Sequence, residues 1–412
     1  MNIYTIIILF ALITEFLLHF IAEMLNIGAL DAELPDEFKS TYDKDTYRKS
    51  QEYTKDKTKF GLITSSFEIS LTLLFWFTGG FNYLDQLIRV YGFNEIVSGL
   101  IYISLLLVIK SVFSIPFDIY GTFVLEEKYG FNKTTPATYI SDLLKGLALS
   151  SVIGLPILAG VIAFFSYAGD FAWLYCWITL TIFSIFMQLL APTLIMPIFN
   201  KFTPLEKGDL KKAIIDYADS VKFSIKDIFV MDGSKRSSKS NAFFTGFGKF
   251  KRIALFDTLI KQHSIEELVS VLAHEIGHYK KKHIQQGIIL SVIQSGIVFF
   301  LLSIFLTNRS LFDAFYMQDT SIYAGLIFFG LLYSPIEFLT GVVMQAISRK
   351  NEYEADEFAA KTIQNPETMI NTLKKLSVDN LSNLTPHPFY AFLNYSHPTV
   401  LERINAIRKV KV

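Results

Sequence analysis

Residues Val271–His283 read VLAHEIGHYKKKH, and the chain then enters the apolar run IQQGIILSVIQSGIVFFLLSIFL, which ends at Leu306. Two histidines stand four residues apart, the first followed by a glutamate. Directly after this polar, ionisable stretch comes a segment long enough to cross a bilayer. The fold follows from asking what else in the chain resembles the second half of that quotation, and what the first half is doing beside it.

The chain has 412 residues, of which 51% are hydrophobic and 18% charged, with 39 Phe and 20 Tyr. Its mean hydropathy of +0.37 is high for a water-soluble protein. Such a composition points to a polytopic membrane protein carrying a polar part. Formal net charge is zero, so no whole-chain field argues for nucleic acid as a partner. The one cysteine, Cys176, excludes an internal disulfide framework and a thiolate metal site.

A membrane-spanning helix needs about 20 mostly apolar residues. Seven stretches qualify: 3–26, 61–89, 97–125, 144–168, 171–198, 285–308 and 322–348. The first lacks a basic leader and a small-residue cleavage site, so it reads as an uncleaved helix and not as a signal peptide. Lys and Arg concentrate in alternate connections. The connections 27–60 and 126–143, the stretch 199–284 and the tail after 348 are rich in them, and those between are poor. The expected topology puts the N-terminus outside and the C-terminus inside. The expected organisation is then 1–198, five membrane helices with loops 27–60 and 126–143; 199–284, a cytoplasmic segment; 285–348, two further helices; and 349–412, a second cytoplasmic segment on the same face.

Within 199–284, PLEKGDLKKAIIDYADSVKF reads as an amphipathic helix. KDIFVMD, NAFFTGFG and KRIALFD read as short strands, with Gly246 and Gly248 near a turn. SIEELVSVLAHEIGHYKKKH opens with Ser264 followed three residues later by Glu267, a capping box, and this helix is expected to continue into the sixth span. The fold class is thus mainly α, with seven membrane helices and a small α+β domain.

Positions i and i+4 share a helix face, so His274 and His278 can aim two imidazoles at one ion, with Glu275 placed to hold a water on it. This is HExxH, the zinc metalloprotease signature. The alternative is an exposed helix face with two ordinary histidines. A catalytic zinc needs a third protein ligand and an open position. SRKNEYEADEFAA, residues 348–360, offers Glu352, with Asp356 four residues on to hydrogen-bond the far nitrogen of a ligating histidine. The plainer reading is an acidic helix start stabilised by the helix dipole.

HEIGH followed two spans later by SRKNEYEAD resembles the integral-membrane gluzincins of the type I CAAX prenyl protease family. FVLEEKYGFNKTT (Phe123–Thr135), YRKSQEYTKDKTKFG, SSKSNAFFTGFGKFKRIALFDTLI and FYAFLNYSHPTVLERI are similar to further stretches of that family. Asn394 departs from the family's usual histidine in HYSHP, and His387 falls where no family histidine is expected. The resemblance implies a water-filled chamber enclosed by the seven helices; HExxH implies one Zn2+ per chain, and the Lys and Arg pattern puts the active site on the cytoplasmic side. The resemblance further implies roles for His397 and Arg403 in stabilising the oxyanion, and a place for Asn241 and Ala242 beside the scissile bond. NAFFTGFGK also reads as an edge strand to which a peptide can add. Glu275 would act as general base, with Glu275 or Asp356 returning the proton to the leaving amine.

The expected partners are a lipid bilayer and a peptide or protein substrate, with the chain a monomer. Substrates are CAAX-type prenylated C-terminal peptides, or membrane proteins cleared in quality control without a prenyl requirement. A bacterial inner membrane and an endoplasmic reticulum membrane both fit. A transporter would explain the spans and the intramembrane Glu15, His19 and Glu23, and an inactive scaffold would keep the fold, but neither explains HExxH with a downstream glutamate.

Overall fold

The computed structural model describes residues 2–30, 33–225, 227–245 and 252–411. Among these, seven helices are long and apolar enough to cross a membrane: Ile3–Gly28, Lys44–Phe77, Glu95–Glu126, Pro136–Tyr167, Gly169–Phe199, His283–Phe305 and Ile322–Thr362. Ile63, Leu74, Leu107, Leu147, Ile182 and Leu339 are exposed on them. A lipid phase accommodates such a surface, and water does not.

The fourth spanning helix starts earlier than expected, at Pro136, and three larger differences from the sequence expectation each have a local reason. The second span is not 61–89. Its helix begins at Lys44, so the charged segment 44–59 extends it, and it ends at Phe77, where Gly79 takes φ 75° and turns the chain. Residues Gly80–Arg89 form a separate helix that buries Phe81, Leu84, Asp85 and Ile88 at the end of the bundle remote from the sheet. There Asp85 accepts from Tyr323 at 2.5 Å and from Arg89 at 2.7 Å. The seventh span does not stop at 348 but runs unbroken for 41 residues to Thr362. At about 1.5 Å per residue it reaches some 60 Å, twice a hydrocarbon core, and carries its last turns into the polar domain.

The third difference is at the sixth span. HExxH does not lie on a helix continuous with it. The helix Ile265–Lys280 ends, Lys282 adopts the left-handed conformation (φ 63°), and a new helix starts at His283.

The polar domain contains a four-stranded sheet of order β1-β2-β4-β3, from Phe202–Pro204 (β1), Asp227–Met231 (β2), Ala242–Thr245 (β3) and Arg252–Phe256 (β4). β2 and β4 run parallel, whereas β3 lies antiparallel to β4 and forms an edge. Three of the strands were anticipated and β1 was not; Gly246 and Gly248 lie outside the described residues. The amphipathic helix is Asp209–Ser220. One core joins Ile253 and Leu255 of β4, Leu268, Leu272 and Ile276 of the HExxH helix, Ala359 and Ala360 of the seventh-span helix, and Ile404 and Ile407 near the C-terminus. The two distant segments of sequence that hold the candidate site residues therefore share a core.

Candidate metal centre and active site

The helix Ile265–Lys280 starts with the anticipated capping box, in which Ser264 accepts from the Glu267 amide and Glu267 accepts from the Ser264 amide. Leu268, Leu272 and Ile276 are buried in the core of the polar domain, and this leaves His274, Glu275, Gly277 and His278 to face the seventh-span helix and the cavity. Gly277 permits the approach. A Cβ there would lie 2.9 Å from the carbonyl oxygen and 3.0 Å from the Cα of Ala355. Ala355 is flanked by Glu352 and Asp356, so this close crossing brings their carboxylates to the histidines.

His274, His278 and Glu352 each offer a ligand atom, all within 4.8 Å of one another. The two Nε2 atoms are 3.1 Å apart, and they lie 3.3 and 3.2 Å from the oxygens of Glu352. Oε2 of Glu352 is buried without a hydrogen bond. Two ligands about 2.1 Å from a tetrahedral zinc stand about 3.4 Å apart. Three lone-pair atoms converging at that spacing, one of them an orphaned buried oxygen, fit a metal ion.

The ligand set is braced from behind. Nδ1 of His274 lies 2.8 Å from Oδ1 of Asp356. Arg403 grips the same carboxylate with Nε to Oδ2 at 2.8 Å and Nη2 to Oδ1 at 2.6 Å. Burial alone would lower the His274 pKa; the neighbouring carboxylates of Asp356 and Glu352, which favour the charged imidazole, outweigh it and raise it to about 9. Burial raises the Glu275 carboxyl against the opposing pull of His274 and His278. His397 is lowered, first by burial and then held up in part by Glu352, whose Oε1 is 3.3 Å from its Nε2.

A cavity of about 220 Å³ opens on this group. Asn241, Ala242, His274, Glu275, His397 and Arg403 all line it, so the structure gathers every sequence-selected residue except His278 and Asp356 on its wall, and those two stand directly behind. Sequence reasoning missed the opposite wall. It is built by Met369, Thr372, Leu373 and Leu376 of the helix Pro366–Asp379 and by Asn380, an amphipathic pattern that marks burial but not what it is buried against.

Also missed was the bracket behind the edge strand. Lys239 bonds Glu126 at 2.8 Å and the Tyr53 hydroxyl at 2.8 Å, while Tyr53 donates to Glu126 at 2.6 Å. Arg236 makes a bidentate pair with Asp142. The end of the third span, with Tyr53 of the second-span helix and Asp142 of the fourth, thus anchors the segment leading into β3. Lys239 and Glu126 also line a larger cavity of about 850 Å³ with Glu23, Lys57, Tyr390 and Tyr395, and Asn380 borders both cavities.

Two further histidines are buried near the site. His283, which ends the KKKH run, lies 3.0 Å from His278. His263 is buried between Glu267 and Asp379. His387 caps the helix Pro388–Asn394, accepting from the Phe389 amide.

Seven membrane helices, a metal-fitting His-His-Glu group and a glutamate beside it define an integral-membrane metalloendopeptidase. Comparison with known proteins bears this out. Residues 23–201 match the model of the CAAX prenyl protease N-terminal region with five membrane helices, and residues 204–411 match peptidase family M48. The chain belongs to peptidase family M48. It is 36% identical over 405 residues to CAAX prenyl protease 1 of Saccharomyces cerevisiae, covering 92% of this chain and 89% of that one. It is 32% identical over 427 residues to the CAAX prenyl protease 1 homolog of Homo sapiens, with the same coverage. The crystal structure of S. mikatae Ste24p superposes with a TM-score of 0.93 at 34% identity, covering 99% of both chains.

Proposed function

We propose that this chain is a zinc endopeptidase that cleaves CAAX-type prenylated C-terminal peptides, with His274, His278 and Glu352 as metal ligands and Glu275 as general base. The observation that carries the reading is the convergence of those three ligand atoms beside Glu275 on a cavity edged by β3. A zinc ion bound there supplies Lewis acidity toward water and the scissile carbonyl. Glu275 takes the proton of the attacking water, the carbonyl carbon–nitrogen bond breaks, and Glu275 hands that proton to the leaving amine. His397, 3.3 Å from Glu352 and on the cavity wall, donates to the developing oxyanion. Asp356, with both oxygens engaged, fixes His274 with its proton on Nδ1 and leaves Nε2 for the metal; Arg403 holds Asp356. The substrate backbone lies along the free edge of β3 at Asn241 and Ala242.

The prenyl preference rests on the relatives' identity over nine-tenths of the chain and on the larger cavity bordering the metal cavity. The alternation of Lys and Arg supports a cytoplasmic active site. Cleavage of a farnesylated CAAX-type peptide beside its unprenylated twin, by the purified protein in detergent, tests the substrate class. A preference of tenfold or more for the lipidated peptide is expected. Equal cleavage of both would move the reading to membrane-protein quality control.

A further inference from the structure

We propose that His283 and Glu354 form a hydrogen-bonded outer link that positions His278 for the metal. The inference rests on the reading of His274, His278 and Glu352 as ligands. Nδ1 of His278 lies 3.0 Å from Nδ1 of His283, and Nε2 of His283 lies 3.2 Å from Oε2 of Glu354. The protons along this line have one consistent arrangement. Nε2 of His278 faces the convergence point with His274 and Glu352, so its lone pair is needed there. Nδ1 of His278 therefore carries the proton and donates it to the lone pair on Nδ1 of His283. Neutral His283 then carries its own proton on Nε2 and donates to the Glu354 carboxylate. Metal-bound histidines usually pass their second N–H to a carboxylate or carbonyl. His274 does so directly, to Asp356; His278 does so through an interposed imidazole.

The link depends on the helix break. On one continuous helix, residues five apart point about 140° away from each other. The left-handed turn at Lys282 starts a new helix at His283 and brings its ring against His278, with ring centroids 5.1 Å apart and an interplanar angle of 73°. Asn351 donates to Gln286 at 3.0 Å and ties the start of this helix to the seventh-span helix that carries Glu354. His283 is 7% exposed at its side chain, Glu354 35%, so the imidazole is shielded and the carboxylate reaches solvent.

The test is the apparent zinc dissociation constant, measured by chelator competition on the full-length protein in detergent, with thermal unfolding as the fold control. His283→Ala is expected to weaken zinc 10–100-fold. His283→Gln, whose amide can accept from His278 and donate to Glu354, is expected to recover most of that loss. Glu354→Gln, at the exposed end, is expected to lose less than His283→Ala and to stay folded. The Co2+-substituted His283→Ala protein is expected to keep a four-coordinate visible spectrum. Wild-type zinc affinity in a folded His283→Ala protein would overturn the proposal, as would a cobalt spectrum showing a ligand lost. Absence of zinc from the wild type would instead overturn the metal-site reading, and this inference with it.

Discussion

Replacing Gly277 by alanine tests whether the close helix crossing builds the metal site. The added Cβ would sit 2.9 Å from the Ala355 oxygen, 3.0 Å from its Cα and 3.3 Å from its Cβ. The first of these is about 0.5 Å inside ordinary contact, and two of the three atoms are backbone, which cannot rotate away. The helices must separate by about that distance. Overpacking of this kind costs about 1–3 kcal/mol. Alanine's better helix propensity offsets about 1 kcal/mol of it. The net loss of stability is thus small, up to about 2 kcal/mol, and the larger effect falls on the metal. Ligand distances in a working site hold within about 0.2 Å. A 0.5 Å retreat of the helix carrying Glu352 exceeds that, so zinc affinity should fall more than tenfold. The assay is zinc titration against a competing chelator, with thermal unfolding alongside. Gly287→Ala, where a Cβ meets nothing within 4 Å, is the control and should bind zinc as the wild type does. A Gly277→Ala protein with wild-type zinc affinity and unchanged unfolding would refute the reasoning.

Removing Asp356 takes both short hydrogen bonds from Arg403, which is 13% exposed at its side chain, and leaves it the longer contact with Glu352 at 3.6 Å. Asp356→Ala should cost about 3–5 kcal/mol of stability, read by thermal unfolding, together with weaker zinc binding. The raised Glu275 pKa sets a pH signature. Its carboxylate is the form that accepts a proton, so activity is full above the raised pKa and lost as pH falls through it. The acid limb of kcat/KM should therefore lie above the ordinary glutamate value of about 4.3. Lys239→Met removes the tie between the β3 approach and Glu126. The loss of a charge-assisted bond worth about 1.5–3 kcal/mol should raise KM by about 10–100-fold and change kcat less.

The spans were legible because about 20 apolar residues have few other uses, and HExxH was legible because four-residue spacing maps onto a helix face without tertiary information. Glu352 and Asp356 could be picked out by the same spacing. What the sequence concealed lay at junctions. The apolar pattern runs on across Gly79, so the turn before the helix Gly80–Arg89 was read as part of a span. The KKKH run carries no helix breaker, yet Lys282 takes a left-handed conformation that glycine usually occupies. That one residue separates the HExxH helix from the sixth span and brings His283, directly after three lysines, against His278 as a buried neighbour. The bracket of Lys239, Glu126 and Tyr53 joins residues 73 to 186 positions apart, a pairing no local pattern encodes.

The central claim is metal-dependent hydrolysis with Glu275 as base, and zinc content measured beside peptide cleavage for wild type and Glu275→Gln tests it most directly. The account predicts about one zinc per chain in both proteins, cleavage by the wild type that a chelator abolishes and zinc restores, and no cleavage by Glu275→Gln. A Glu275→Gln protein that cleaves at the wild-type rate, or a folded wild type that cleaves without bound metal, would contradict it.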